Sequence, residues 1–252
     1  MPSSHNRPVV IVTGASRGLG AAVSRLLVQE GVNVILNGRS EDALQEVVSG
    51  LADGRAAVVT GDISQKGVAQ QLVAAALDQF GRLDSLIHNA GIIEPIAALA
   101  EADAKAWAYN LAVNVIAPVQ LTQLALPHLR ERRGRVISVS SGAAVSAIGG
   151  WAAYCGAKAA LNQFNAVLAV EEPLVTAVAV RPGVVDTEMQ AVIRREGRQG
   201  MDAGTHGRFL SYHEKGELLP PEKPGLAIAR LALYAPPELS GKFINWDDPL
   251  VP

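Results

Sequence analysis

Tyr154 and Lys158 stand four residues apart in the stretch Trp151-Ala152-Ala153-Tyr154-Cys155-Gly156-Ala157-Lys158. On a helix that spacing puts both side chains on one face, about 6 Å apart along the axis. A phenol at its ordinary pKa, near 10, is a poor acid–base group at neutral pH. A neighbouring ammonium favours the phenolate and is expected to draw that pKa down. A tyrosine tuned in this way can pass a proton to or from a reacting oxygen. Tyrosine and lysine fall four apart on many helices by chance, so the meaning of the pair depends on what the fold brings to it.

A second chemistry-bearing stretch lies near the start of the chain. Val9-Val10-Ile11-Val12-Thr13 runs into Gly14-Ala15-Ser16-Arg17-Gly18-Leu19-Gly20 and then into a helical pattern. Strand, glycine-rich turn and helix together aim backbone N–H groups and a helix N-terminus at a pyrophosphate. The spacing is G-x-x-x-G-x-G, not the commoner G-x-G-x-x-G of dinucleotide sites. The second strand ends in Leu36-Asn37-Gly38-Arg39-Ser40, with no carboxylate before Glu41. An acid there would accept from the ribose 2′-hydroxyl of NAD, whereas Arg39 can pair with a 2′-phosphate. Arg17 could clamp the same phosphate from the other side. The cofactor expected is therefore NADPH/NADP.

These groups need a scaffold, and the hydrophobic pattern supplies one. Short β-branched runs at 9–13, 32–36, 57–60, 85–88, 135–140, 175–180 and 243–245 read as strands. Most lack polar alternation, as expected of strands covered on both faces. Helical patterns at 19–30, 41–48, 68–80, 104–129 and 153–170 separate them, and Pro127 predicts that the fourth ends near Leu126. Such alternation implies a single-domain α/β Rossmann fold across 1–252: a doubly wound parallel sheet of about seven strands with helices on both faces. Residues 188–221 break the pattern, being polar, glycine-containing and weakly periodic. Lying between the last two strands, this segment is expected to overhang the site as a substrate lid.

Other candidate groups fall at strand ends, where open α/β sheets bind ligands. Ser140-Ser141 closes one strand, Asn89-Ala90-Gly91 follows another, and Asn114 lies in the long helix between them. Taken with Thr13-Gly14-x-x-x-Gly18-x-Gly20, Asp62, Tyr154-x-x-x-Lys158 and Pro182-Gly183, this set resembles the short-chain dehydrogenase/reductase family in order and spacing, across essentially the whole chain. His88 stands where that family commonly has asparagine.

The resemblance implies roles. Tyr154 would give its proton to a carbonyl oxygen, Lys158 would lower its pKa and hold the nicotinamide ribose, and Ser141, rather than Ser140, would bond the substrate oxygen. Asn114 would position a water behind Lys158. Gly14, Ser16, Arg17, Gly18, Leu19 and Gly20 would hold the phosphates, and Asp62 and Ile63 would border the adenine. Asn89, Ala90 and Gly91 would line the cleft, while Pro182, Gly183, Val185 and Thr187 would cover the nicotinamide. Asp186-Thr187-Glu188-Met189-Gln190 and the tail from Ser240 to Pro249 are similar to the sepiapterin-reductase-like and fungal benzil-reductase branch. That likeness implies vicinal diketones or similar activated ketones as substrates, with Asp247 the nearest match to the acid that anchors a pterin. It also implies a homodimer or homotetramer built through the two long helices.

Bulk properties are compatible with this. With 22 basic and 24 acidic residues among 252, nothing advertises nucleic acid or an anionic membrane as partner. Cys155 is the only cysteine, which favours a reducing, cytoplasmic setting, and the polar start at Met1 to Pro8 lacks a secretory pattern. His5, His88, His128, His206 and His213 show no ligand spacing, so no metal is expected; His206 and His213 read as solvated. Arg130-Glu131-Arg132-Arg133 reads as a solvated helix end. Trp151 could wall the substrate pocket or fill the core, and Cys155 should pack. The function expected is NADPH-dependent reduction of a small-molecule ketone. The alternatives are an NAD-linked secondary alcohol dehydrogenase and a non-catalytic NADP(H)-binding redox regulator.

Overall fold

Seven runs of aliphatic residues pair into one all-parallel sheet in the computed structural model, which describes residues 7–252. They are β1 (Val9–Val12), β2 (Asn33–Gly38), β3 (Ala56–Thr60), β4 (Ser85–His88), β5 (Arg135–Val139), β6 (Thr176–Arg181) and β7 (Phe243–Asn245). Their order is β3-β2-β1-β4-β5-β6-β7. The chain thus winds outward in one direction from β1, then returns to add β4 on the other side. Loops leaving β1 and β4 must part in opposite directions, and the crevice this opens lies at their carboxyl ends.

Helices cover both faces because alternate strand residues point to opposite sides. Val10 and Val12 pack with α1 (Gly18–Gln29) and α9 (Glu222–Tyr234), and Leu44 and Val47 of α2 (Glu41–Ser49) join that layer. Val9 and Ile11 face the other layer, formed by α3 (Val68–Phe80), α5 (Ala117–Arg132) and α6 (Ala152–Glu171). The expected Rossmann architecture of seven parallel strands is what the chain forms, with strand ends within two residues of those read from the pattern. Met1–Asn6, and His5 with them, lie outside the described residues.

Three expectations need correction. The helix expected to stop near Leu126 continues to Arg132 with Pro127 inside it. Proline removes the bond to the carbonyl of Gln123, but both residues face solvent, where water can replace that partner, and fully buried Leu129 anchors the next turn. The long helix is also not continuous: α4 (Ala104–Leu111) and α5 are joined by a π-turn over Ala112–Ile116 that contains Asn114. Lastly, 188–221, weakly periodic in sequence, is mostly helical, because α7 (Glu188–Glu196) and α8 (Ala203–Glu214) occupy most of it. Asp202 caps α8 through Thr205, and the two helices pack on each other, with Phe209 buried. Among the described residues no helix is long and apolar enough to cross a membrane.

Candidate active site

The glycine-rich turn after β1 is a cradle whose shape depends on missing side chains. Gly14 and Gly18 have φ of +64° and +53°, where a Cβ is disfavoured. A Cβ on Gly20 would run into the Gly14 carbonyl and the Asn89 amide, and one on Gly14 would stand 2.8 Å from Ala90 Cα. Asn89 laces the turn to β4, its Nδ2 donating to the carbonyls of Thr13 (2.9 Å) and Gly14 (3.0 Å). Thr13 Oγ1 accepts from the backbone N–H of Asn89 and Ala90, both at 3.1 Å. No side chain caps α1, so its leading N–H groups are left for an anion, whereas Ser40 caps α2 through Ala43. The arrangement fits a pyrophosphate.

Ser16, Arg17, Leu19, Gly38, Arg39, Asp62, Ile63 and Ala90 line the same cleft, which has a volume of about 1040 Å³. Arg17 and Arg39 are both exposed along it. Gly38 sits at a close approach: a Cβ there would lie a tight 3.1 Å from Ser16 Cβ. Asn37, which no spacing signal marked, braces this end by donating to the carbonyls of Val59 (3.0 Å) and Gly61 (3.1 Å). Asp62 accepts from Ser64 N–H (2.9 Å), Ser64 Oγ (2.6 Å) and the Tyr109 hydroxyl (2.5 Å). Burial alone would raise the Asp62 carboxyl, but these bonds and the Arg39 charge outweigh it and hold the pKa down. Tyr109 was also missed, since 47 residues separate it from Asp62.

Tyr154, Lys158 and Ser141 also line the cleft, where β5 and α6 meet, with Asn114 close behind. Both Tyr154 and Lys158 are buried, and Lys158 Nζ lies 5.6 Å from the phenol ring centre while donating to the Val139 carbonyl at 2.8 Å. A Cβ on Gly91 would crowd Asn114 Oδ1 at 2.8 Å, and Lys158 Nζ borders the same glycine. Asn114 is held by Ile92, accepting from its N–H (3.3 Å) and donating to its carbonyl (2.9 Å). Ser140 turns away to donate to Asn162 Oδ1 at 2.5 Å, leaving Ser141 beside Tyr154.

The expected lowering of the tyrosine pKa is not realised. Burial pushes Tyr154 up to about 12, and the Ser141 hydroxyl only partly offsets it. Lys158 is itself brought down to about 8 by burial. Desolvation penalises the charged form of each, and burial is the leading cause of both shifts. At neutral pH the phenol therefore keeps its proton while Lys158 stays mainly cationic. Beneath them His88 is buried and bonded to Thr122 Oγ1 at 2.8 Å, and burial with the Lys158 charge pushes it down to about 3.

Beyond Tyr154 the cleft becomes apolar and aromatic. Trp151 stands edge-on to Tyr154, with centroids 5.8 Å apart, and packs on Phe209 at 5.1 Å; Tyr212 follows Phe209 at 6.1 Å. Ile93, Ala143, Val192 and Ile193 complete the cluster. Trp151 is thus both buried and part of the wall. Its Nε1 and the Oε1 of Gln190 are buried without a hydrogen-bond partner. Pro182, Gly183, Val185 and Thr187 border the cleft from the β6 side.

Several outlying readings change. His206 is buried rather than solvated, its Nε2 bonded to the Arg194 carbonyl at 2.9 Å, because α8 folds back on α7. Asp247 is exposed and does not reach the cleft. Arg130 is not merely solvated, since it pairs with Glu172 from the next helix.

Comparison with known proteins agrees with this geometry. The short chain dehydrogenase family model matches residues 8–198. An uncharacterised oxidoreductase of Schizosaccharomyces pombe is 40% identical over 239 residues, 94% of this chain and 96% of that one. A Saccharomyces cerevisiae benzil reductase, (S)-benzoin forming, is 35% identical, spanning 95% of this chain and 96% of its own. The crystal structure of a Saccharomyces cerevisiae short chain dehydrogenases/reductase superposes with a TM-score of 0.94 at 38% identity, covering 97% and 98% of the two chains. The chain belongs to the short chain dehydrogenase family and is an oxidoreductase with a Rossmann-like fold.

His88 makes a pH signature measurable. Its imidazole takes a proton near pH 6.5 when unfolded but only near 3 in the fold. Its contribution to stability is therefore complete above about pH 6.5 and is lost on acidification towards 3, as the unfolded chain binds the extra proton. His88→Asn should flatten the stability profile across that range. Denaturant midpoints at several pH values, with an unchanged acid slope in the variant, would remove His88 as the source.

Proposed function

We propose that the protein is an NADPH-dependent carbonyl reductase acting on vicinal diketones, with aryl-substituted ones preferred. The observation that carries this reading is a buried Tyr154, beside Ser141 and Lys158, between a glycine cradle and an aromatic pocket. When bound, NADPH supplies a hydride to the carbonyl carbon. The chain's own residues manage the oxygen. Burial keeps the Tyr154 phenol protonated at neutral pH, so it holds the proton that the nascent alkoxide needs. The Ser141 hydroxyl donates to the same oxygen as charge develops. Lys158, still cationic at neutral pH, stabilises the phenolate left behind, and its charge fades as pH rises through about 8. Asn114, whose Oδ1 borders Gly91 as Lys158 Nζ does, takes part in the relay that returns a proton.

Arg39 and Arg17 take the 2′-phosphate, at a strand end that holds no acid to repel it. The aromatic wall of Trp151, Phe209 and Tyr212 suits an aryl group next to the reacting carbonyl, and the name of the yeast benzil reductase points to the same class. Helices α7 and α8 act as the lid over this pocket. Ile116, Val167 and Val170 expose apolar surface on the π-turn and α6, consistent with a homodimer or homotetramer built there. The lone Cys155, with no possible disulfide partner within the chain, suits the cytoplasm.

Three measurements test this. In a panel with NADPH, kcat/KM for aryl vicinal diketones should exceed that for simple alkyl ketones by about tenfold or more, a difference of at least 1.4 kcal/mol in barrier; no turnover of any ketone would return the protein to a regulatory role. Tyr154→Phe should cut kcat by about 10²–10⁴ while NADPH binding persists. Arg39→Ala should weaken NADPH about tenfold and leave NADH nearly unchanged, and tighter NADH binding by the unmutated protein would sink the phosphate assignment.

A further inference from the structure

We infer that Tyr109 is a positioning residue for the cofactor: its hydroxyl fixes the Asp62 carboxylate in the orientation that receives the amine of the adenine ring. The inference rests on the dinucleotide reading given above. A carboxylate has about four acceptor sites on its two oxygens. Two on Oδ1 are taken by Ser64, from its N–H at 2.9 Å and its Oγ at 2.6 Å. Tyr109 takes one on Oδ2, at 2.5 Å. The remaining site on Oδ2 belongs to a group at the cleft wall, because Asp62 and Tyr109 both line the cleft beside Gly38 and Arg39. An exocyclic amine is a donor and fits that site; a base with a carbonyl at that position would meet the carboxylate acceptor to acceptor.

Tyr109 is not there to fill the core. It is 40% exposed and reaches across the rim from α4 to the turn after β3, two segments 47 residues apart. The helix that presents it is fixed from inside, where Asn110 Nδ2 donates to the carbonyls of Ile92 (3.2 Å) and Glu94 (2.6 Å). A carboxylate on an untied turn would sample several rotamers and lose that freedom on binding. Tied by donors from two elements, it is ordered before the ligand arrives.

The test uses Tyr109→Phe, which keeps the ring and deletes the hydroxyl, with NADPH and reduced nicotinamide mononucleotide as probes in fluorescence titrations. The dissociation constant for NADPH should rise about three- to tenfold, the scale of one ordinary hydrogen bond's net effect. That for the mononucleotide, which lacks adenine, should not move, whereas that for NADH, which keeps adenine but lacks the 2′-phosphate carried beside Arg39, should rise by a similar factor. In an Asp62→Asn background the Tyr109→Phe change should add little, since the two residues act through one bond. Equal weakening of both probes, no effect on either, or full additivity with Asp62→Asn overturns the assignment of Tyr109 alone. Failure of the unmutated protein to bind either NADPH or NADH overturns the dinucleotide reading and this inference with it.

Discussion

Strands β1 and β4 lie side by side in the sheet, yet the chain leaves their carboxyl ends in opposite directions. That divergence opens the crevice, and a narrow band of hydrogen bonds keeps it from collapsing or splaying. Thr13 Oγ1 and the Asn89 side chain join the end of one strand to the end of the other through five bonds. The glycines need those bonds as much as the bonds need the glycines. Without a partner, a turn with two positive-φ glycines would be too flexible to present an ordered row of N–H groups. With Asn89 bound to the Gly14 carbonyl, any side chain on Gly20 would collide. The cleft, the helix start and the approach of β4 are therefore one constraint.

The other end of the cleft is governed by the cost of burying charge. Lys158 and Tyr154 are removed from water, and each is pushed towards its neutral form. Lys158 meets that cost through the Val139 carbonyl, and His88 below it stays neutral chiefly because it is buried, with the Lys158 charge adding to that effect. The protein thus holds a phenol that keeps its proton beside an ammonium that keeps most of its charge. This is the combination suited to giving a proton to an oxygen that becomes negative. It differs from the simple expectation of a phenolate stabilised in advance, since desolvation acts on the same pair and acts more strongly.

Much of the fold could be read from alternation and length. The strands β4 and β7 and the helix α3 fall where the pattern put them, because buried aliphatic runs between polar turns admit few other readings. Pro127 misled because local rules count a lost hydrogen bond in full, whereas an exposed carbonyl finds water. The π-turn around Asn114 left no local signal, as one extra residue in a turn hardly alters apolar spacing. Helices α7 and α8 were obscured by polar residues and glycines at the entrance of a cleft, where a helix need bury only a narrow stripe.

The residue types and their spacing pointed to the parallel Rossmann architecture, and their resemblance to a known family added the set of groups expected to do chemistry. Each such signal is local: a glycine run after a strand, an arginine where an acid would stand, a tyrosine and a lysine one helical turn apart. What only the tertiary structure decided is how those groups behave. It shows Tyr154 raised rather than lowered, Ser140 tied to Asn162 and Ser141 left beside the phenol, and Asp62 held by a tyrosine from a distant helix. The physical reason is that pKa and orientation are set by burial and by partners far apart in the chain. Neither quantity has a counterpart in the spacing of residues along it.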